Sequence, residues 1–330
     1  MNMLAEINEP VSEMPPSEPE EPVTNVGKLE IRVKGQPVVV PSVRIEGRNV
    51  ITSGGLLKVA VVHDEELAEG ELITDLASFM ERLKGSGLGA DILTFAQKLH
   101  EPEPRYKFYF EWDNLAVIPV NTYSNWLEKQ VDTGVRRAIK KSVKEGISVR
   151  QVEFDAAFVE GIVKINNESP IRQGRPFWHY QKSFESMWEE NSTYAERNVF
   201  LGAYLQGELI GYMRITLVDT TASIIQILSM MKHYDKRPAN ALVAKAVEVC
   251  AERGFHHLTY CNYTYNEVEN SLTEFKRRSG FEKVLVPRYY IPLTSKGKLA
   301  LKFGFHKGLK QSLPKPVRAQ LLKLDRKSVV

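Results

Sequence analysis

The densest set of side chains able to do chemistry lies in the run Glu168-Ser169-Pro170-Ile171-Arg172-Gln173-Gly174-Arg175-Pro176-Phe177-Trp178-His179-Tyr180. Arg172 and Arg175, with Gln173 between them, can clamp a carboxylate or a phosphate, because a guanidinium forms paired charge-assisted hydrogen bonds to either. Glu168 or His179 can take the proton from an attacking amine. The same residues equally suit a structural loop whose arginines are pinned by acidic neighbours. Both readings stay open, because polar loops on rigid scaffolds often carry function.

Three smaller groups follow. In Asn262-Tyr263-Thr264-Tyr265-Asn266, Asn262 offers an amide to a ligand, and Tyr263 or Tyr265 offers a phenol that can donate a proton. The alternative is that the rings pack and only the hydroxyls are wet, which suits Tyr265 better. Gln226 interrupts the apolar run Ile224-Ile225-Gln226-Ile227-Leu228 and needs a partner if buried. It lines a cleft or sits at a solvated edge. Trp112, beside Asp113 and Asn114, can contribute to an acceptor pocket, although an aromatic strand surface packed on a helix is the commoner arrangement.

The elements that must position these residues read as follows. Residues 27–63 form short strands, with Leu29, Ile31 and Val33 alternating with polar residues and breaks at Gly35, Pro41 and Gly47. Residues 73–84 form a helix through Leu76, Phe79 and Leu83. Residues 90–99 read as a second helix with Ile92, Phe95 and Leu99 on one face, stopped by Glu101-Pro102-Glu103-Pro104. Residues 106–120 are strand-like and aromatic. Ser124 caps a helix running to Val143, closed by Gly146.

Beyond it, a strand at 147–152 precedes helices begun by Asp155 and centred on residues 180–188. Strands at 199–205 and 209–217 meet at Gln206-Gly207, a tight hairpin, and 223–231 is a third strand. A helix opens at Pro238 and closes at Gly254. A strand at 257–262, a helix at 271–279 ending in Gly280 and a strand at 283–291 complete a mixed α/β sheet of α+β type.

Composition sets outer limits. The chain has 330 residues, 43% hydrophobic and 26% charged, which allows a large core. A net charge of +3 does not by itself single out nucleic acid. Cys250 and Cys261 have no Cys or His neighbours at metal-ligand spacing, so no metal site and no disulfide framework is expected. Two buried thiols are the expectation. With no apolar run of membrane-spanning length and no secretory leader, a cytoplasmic protein is expected. Residues 1–22 hold six glutamates, five prolines and no Lys or Arg, and read as disordered. From Lys296 to Lys327 there are ten Lys or Arg against Asp325 alone. That stretch carries Leu299, Phe303 and Phe305, so it is either a solvated helix packed on the domain or a segment lying on an anionic membrane or RNA.

The order strand, two helices, three antiparallel strands, helix, strand, helix, strand resembles the GNAT N-acyltransferase fold. Three segments add to the likeness. The step His233-Tyr234-Asp235-Lys236-Arg237-Pro238-Ala239-Asn240-Ala241 stands where GNAT proteins bind acetyl-CoA, with helix N-terminal amides facing the pyrophosphate. It lacks the glycines of the Arg/Gln-x-x-Gly-x-Gly/Ala pattern, and Pro238 has no amide to give. Phe275-Lys276-Arg277-Arg278-Ser279-Gly280-Phe281 resembles the late segment closing at Gly-Phe. Many GNAT enzymes carry an acid tyrosine one residue after the position of Phe275, and Lys276 stands there. Arg136-Arg137-Ala138-Ile139-Lys140-Lys141 looks like the basic helix of Fem-type peptidyltransferases, which fuse two GNAT-like halves and use aminoacyl-tRNA.

The resemblance implies an N-acyltransferase moving an acyl group from acyl-CoA, acetyl-CoA included, to a small-molecule or peptide amine, without a metal. It implies Glu168, His179 and Tyr263 as catalytic groups. Gln226, Lys236, Arg237, Ala239, Asn240 and Asn262 are implied for the cofactor, and Arg172, Gln173, Arg175 and Trp112 for the acceptor. Two alternatives remain: a Fem-like transferase holding tRNA through Arg136, Arg137, Lys140 and Lys141, and a GNAT-like binding protein without activity. The expected organisation is a disordered acidic tail at 1–26, an α+β region at 27–120 as a reduced GNAT-like half, the GNAT-like domain at 121–295 and a basic extension at 296–330.

Overall fold

The computed structural model describes residues 26–33, 36–101, 103–265 and 267–307. The acidic tail up to residue 25 and the basic extension beyond 307 lie outside the described residues.

Among the described residues fourteen strands are formed: β1 (Gly27–Val33), β2 (Gln36–Ile45), β3 (Arg48–Ser53), β4 (Val59–Val62), β5 (Ile92–Ala96), β6 (Phe110–Pro119), β7 (Ser148–Val152), β8 (Ile171–Arg172), β9 (Arg175–Pro176), β10 (Asn198–Leu205), β11 (Glu208–Val218), β12 (Thr221–Ser229), β13 (His257–Asn262) and β14 (Glu282–Pro292). The helices are α1 (Leu76–Gly85), α2 (Tyr123–Asn125), α3 (Thr133–Lys144), α4 (Ala156–Asn166), α5 (Phe184–Ser192), α6 (Pro238–Glu252), α7 (Ser271–Arg278) and α8 (Ser295–Lys302).

Twelve strands share one sheet in the order β1-β2-β3-β4-β5-β14-β6-β13-β12-β11-β10-β7. That order is nearly symmetric about the β14–β6 pair. In the first half an antiparallel meander ends at β4, α1 follows, and β5 returns parallel to β4. In the second half the meander β10–β11–β12 ends, α6 follows, and β13 returns parallel to β12. Each half then gives its last strand to the other: β6 pairs with β13, and β14 pairs with β5. The β6–β14 ladder, from Glu282↔Val117 to Tyr289↔Phe110, joins the halves into one sheet. The two halves therefore share one connectivity, a meander, a helix and a strand returning parallel to the meander's last.

Local chemistry explains the second half. The β10–β11 hairpin turns on Gln206 and Gly207, both at positive φ, as a two-residue loop between right-twisted strands requires. β11 is buried along most of its length, with α4 packed on one side of it and α6 on the other. α6 starts on Pro238, whose missing N–H costs nothing in a first turn, and buries Ala241, Leu242, Val243, Ala246 and Val247. At Gly280, φ is +87°, and a Cβ would stand 3.1 Å from Nε1 of Trp126, so only glycine fits. Trp126 is fully buried there and donates to the Ser279 carbonyl at 3.1 Å.

Three readings of the sequence are corrected. Residues 92–96 are a strand, not a helix: Ile92, Leu93, Thr94 and Phe95 are all buried because β4 and β14 flank the segment and both its faces are covered. The helix expected from Ser124 to Val143 is interrupted. Thr122, not Ser124, caps α2, which runs into a π turn at Trp126–Gln130, and Asp132 then caps α3 afresh by accepting from the Gly134 amide. Pro41 does not break β2; it pairs opposite Lys28 in the outermost hairpin.

Candidate active site

The sheet opens between β12 and β13. Their parallel ladder covers only Thr221↔His257, Ala222↔Leu258 and Ser223↔Thr259. At its end the Thr259 hydroxyl donates to Ser223 Oγ at 3.0 Å. Past that point Ile224–Ser229 face the opening without a ladder partner, while β11 still holds their other edge. A register shift places Arg214 opposite Gln226 and Ile215 opposite Ile224, so Ile225 is an extra residue bulged at the mouth of the split. On the far wall the β13–β6 ladder is irregular between Thr259 and Asn262, and Cys261 adopts a left-handed backbone with φ +47°. For a cysteine that conformation is strained, and such strain gathers at functional sites.

Lys276 of α7 reaches this wall. Its side chain is fully buried, and its ammonium donates to the Asn262 carbonyl at 2.6 Å. It stands 4.5 Å from the Tyr260 ring centre and 5.3 Å from that of Tyr265. Burial lowers the Lys276 pKa to about 8. The side chain of Cys261 reaches solvent, but desolvation by the protein packed around β13 drives its thiol pKa up, with Lys276 lowering it and the more distant charge of Glu66 raising it further. Glu66 belongs to the first half, in the 3₁₀ turn Glu65–Leu67 after β4, and desolvation raises its carboxyl pKa. Lys276 thus stands against one strained stretch of β13, and Glu66 of the first half acts on that stretch as a charge at longer range. Cys261 corrects the expectation of two buried thiols, since only Cys250 is buried.

The residues singled out around 168–180 are brought together, but largely by structural bonds. Glu168 accepts the backbone amide of Lys232 at 2.9 Å, together with that of Met231, at the start of a 3₁₀ turn following β12. Arg172 is buried and donates to the carbonyls of Ser229 (2.8 Å) and Ile165 (2.6 Å), to Tyr234 Oη and to Glu168. Its guanidinium also lies over Phe177. Of its nitrogens only Nε is left over, so Arg172 staples α4 to the end of β12. Gln173 and Gly174 form the exposed β8–β9 turn, and Arg175 is exposed beside them.

His179 is buried, and its Nε2 receives the Gln226 amide at 3.2 Å. With the Gln226 amide nitrogen as the donor, that ring nitrogen accepts and the proton is assigned to Nδ1. Nδ1 sits 3.9 Å from Glu190, which is itself held by Lys182 and by Arg32 of β1. Burial, with Lys182 and Arg172 nearby, lowers the His179 pKa to about 3. So weakly basic a ring is better suited to holding Gln226 in place than to taking a proton from an amine. Gln226 shares its sheet face with Arg214, whose guanidinium binds the carbonyls of Glu190 and Thr193, both at 2.6 Å.

The remaining expected residues are dispersed. Tyr263 lies against α7 near Arg277, Glu269 and Glu274, whereas Tyr265 is the tyrosine beside Lys276. Asn262 contributes its carbonyl to Lys276. Lys236 pairs with Glu145 at 3.2 Å. Arg237 takes the left-handed conformation just before α6 and, with Asn240, lines a cavity of about 410 Å³ between α3, α6 and α7. Arg137, Lys141 and Arg278 also line it. Ala239 is half-buried on the first turn of α6. Arg136 is committed to the Leu127 and Glu128 carbonyls. Trp112 is exposed and packs edge-on against Phe110. Glu66 and the buried position of Lys276 were missed by sequence reasoning. The one available signal was that Lys276 replaces the expected tyrosine.

Residues 164–281 match the family model described as Acetyltransferase (GNAT) family, and this part of the chain is a GNAT-type domain. Comparison with the curated proteins finds no match. Among solved structures, FemX superposes with a TM-score of 0.52 at 9% identity, covering 84% of this chain and 89% of that one. L-PGS from Bacillus licheniformis gives 0.50 at 14% identity, over 77% of this chain and 84% of that one. At these identities the likeness concerns the fold, which over the superposed part of the chain is GNAT-like with a resemblance to the Fem-like branch. Among the described residues no group of His, Cys, Asp or Glu is placed to hold a metal, and no helix is long and apolar enough to cross a membrane.

Proposed function

We propose that the chain is an N-acyltransferase, moving an acyl group from an activated ester or thioester to an amine. The observation that carries this reading is the open β12–β13 split with Lys276 buried against one wall. An extended donor can lie along the unpaired edge of β12, where free amides polarise its carbonyl. The amine nitrogen attacks that carbon as Glu66 takes the amine proton, forming the new C–N bond. Collapse of the intermediate breaks the bond to the leaving oxygen or sulfur, which takes a proton from Lys276. A lysine near pKa 8 and a carboxyl raised by desolvation are each shifted toward neutrality, as general acid–base work requires.

For the donor, a specific observation favours an aminoacyl ester of tRNA over acyl-CoA. The amides of Met231 and Lys232 are already taken by Glu168, and Pro238 occupies the first position of α6. Few backbone donors are left there for a pyrophosphate. The cavity that Arg137, Lys141, Arg237 and Arg278 line together with Glu274 carries more cations than acids and suits the phosphates of either carrier. Calorimetric titration with acetyl-CoA and longer acyl-CoAs, beside gel shifts with charged tRNA at low and high salt, separates the donors. Salt-sensitive binding of tRNA with no heat from the CoA series is expected. Tight CoA binding would reverse the donor assignment, and binding of neither carrier would remove the transferase reading.

A further inference from the structure

Helix α8 is built inside out. Its inner face carries Gly297, where a Cβ would stand 2.0 Å from the Asp91 carbonyl oxygen, and the buried Ala300. Its bulky apolar residues point outward: Leu299 and Phe303 are each 56% exposed, one helical turn apart. Phe305, 47% exposed, continues the patch with its ring centre 5.9 Å from that of Phe303. An amphipathic helix of a water-facing domain shows the opposite pattern. Lys298 and Lys302 flank the two apolar residues and form no ion pair among the described residues.

We propose that this face is a docking surface for an anionic lipid bilayer, with Leu299, Phe303 and Phe305 entering the headgroup–acyl boundary and Lys298 and Lys302 meeting the lipid charge. The lysines decide between occupants. Protein interfaces are depleted of lysine at their apolar centres, whereas helices that lie on membranes combine Phe and Leu with lysine. The geometry suits this use: the close seat of Gly297 and the capping of the Gly297 amide by Thr294 at 3.0 Å hold the helix firmly on the domain. The sequence after residue 307 adds six more cations against Asp325, so charge of the same sign continues from the helix. This inference does not depend on the proposed acyl transfer.

The test is sedimentation of the full chain with vesicles of phosphatidylcholine alone and of phosphatidylcholine mixed with phosphatidylglycerol, at low and high salt. Binding only to the mixed vesicles, weakened by salt, is expected. Lys298→Gln with Lys302→Gln should weaken it about fivefold per lysine, and Leu299→Ser with Phe303→Ser by about tenfold or more. All four positions are exposed, so unchanged thermal unfolding should accompany both variants. Absence of vesicle binding, equal binding to both lipid mixtures, or full binding by the Leu299→Ser, Phe303→Ser variant would overturn the proposal. So would a wild-type dimer that this variant converts to monomer, which would assign the face to a second copy.

Discussion

The ammonium of Lys276 donates to the carbonyl oxygen of Asn262 at 2.6 Å, tying the middle of α7 to the end of β13 beside the place where the sheet opens. The bond leaves the cation with few partners, since two aromatic rings are its other close neighbours and no carboxylate among the described residues pairs with it. Its pKa of about 8, against an ordinary 10.5, follows from that burial.

The sign of this shift gives the first prediction. The folded protein releases the Lys276 proton earlier than the unfolded chain does, so stability rises with pH between about 8 and 10.5. Thermal unfolding across that window should show the rise in the wild type and lose it in Lys276→Met. Activity should run the other way, falling above pH 8 as the acid is lost. Lys276→Met should lower turnover by about 100-fold or more. Lys276→Arg should restore part of it through charge, without the fall near pH 8.

Glu66 provides the second. If it takes the amine proton, Glu66→Gln should reduce turnover by about 10²–10⁴-fold with little change in binding of the donor. Its carboxyl pKa is raised in the fold, so the charged form is disfavoured and its contribution to stability is lost as pH rises through that value. The variant should therefore be no less stable than wild type at neutral pH. A clear loss of stability there would assign Glu66 to the architecture instead.

Glu168 should behave in the opposite way. Its carboxylate holds two backbone amides and faces the buried Arg172, so Glu168→Gln should destabilise by about 1–3 kcal/mol in urea unfolding. Turnover per folded molecule should stay within about tenfold of wild type. A much larger loss of turnover at unchanged stability would return Glu168 to the base role read from the sequence.

The fourth concerns the seam between the halves. Arg288 of β14 bridges Asp113 of β6, at 2.5 Å, and Glu65 of the turn after β4. Arg288→Met would leave the well-shielded Glu65 without its cation and should cost about 3 kcal/mol. Hydrogen exchange should show protection lost first along β5, β14 and β6. Uniform loss across the sheet would show that the bridge adds nothing local to the joint.

The legibility of the sequence followed the range of the interactions. The Gln206-Gly207 hairpin, the helix between Pro238 and Gly254 and the Gly280 stop were readable because each is decided within a few residues. β5 was not, because Ile92 and Phe95 sit at helical spacing and only their long-range flanking by β4 and β14 makes a strand of them. The exchange of β6 and β14 between halves leaves no local trace at all. At the site, Glu168, Arg172, His179 and Gln226 stood out by type, and the structure places them in one region. Their hydrogen-bonding capacity is largely taken up by backbone groups and by one another. Glu66 gave no signal, reading as one more acid in Asp64-Glu65-Glu66, and Lys276 showed only as the wrong residue in a tyrosine's position.

The proposed acyl transfer rests on Lys276 and the β12–β13 split. The most direct measurement is amine-dependent transfer of a labelled acyl group from charged tRNA and, separately, from acyl-CoA by the full chain, with Lys276→Met alongside. Amide product is expected from one of these donors, the tRNA ester first, with formation lost in the variant although it folds and still binds the donor. Product formed equally well by wild type and Lys276→Met, or no product from either donor with a panel of amines, would contradict it.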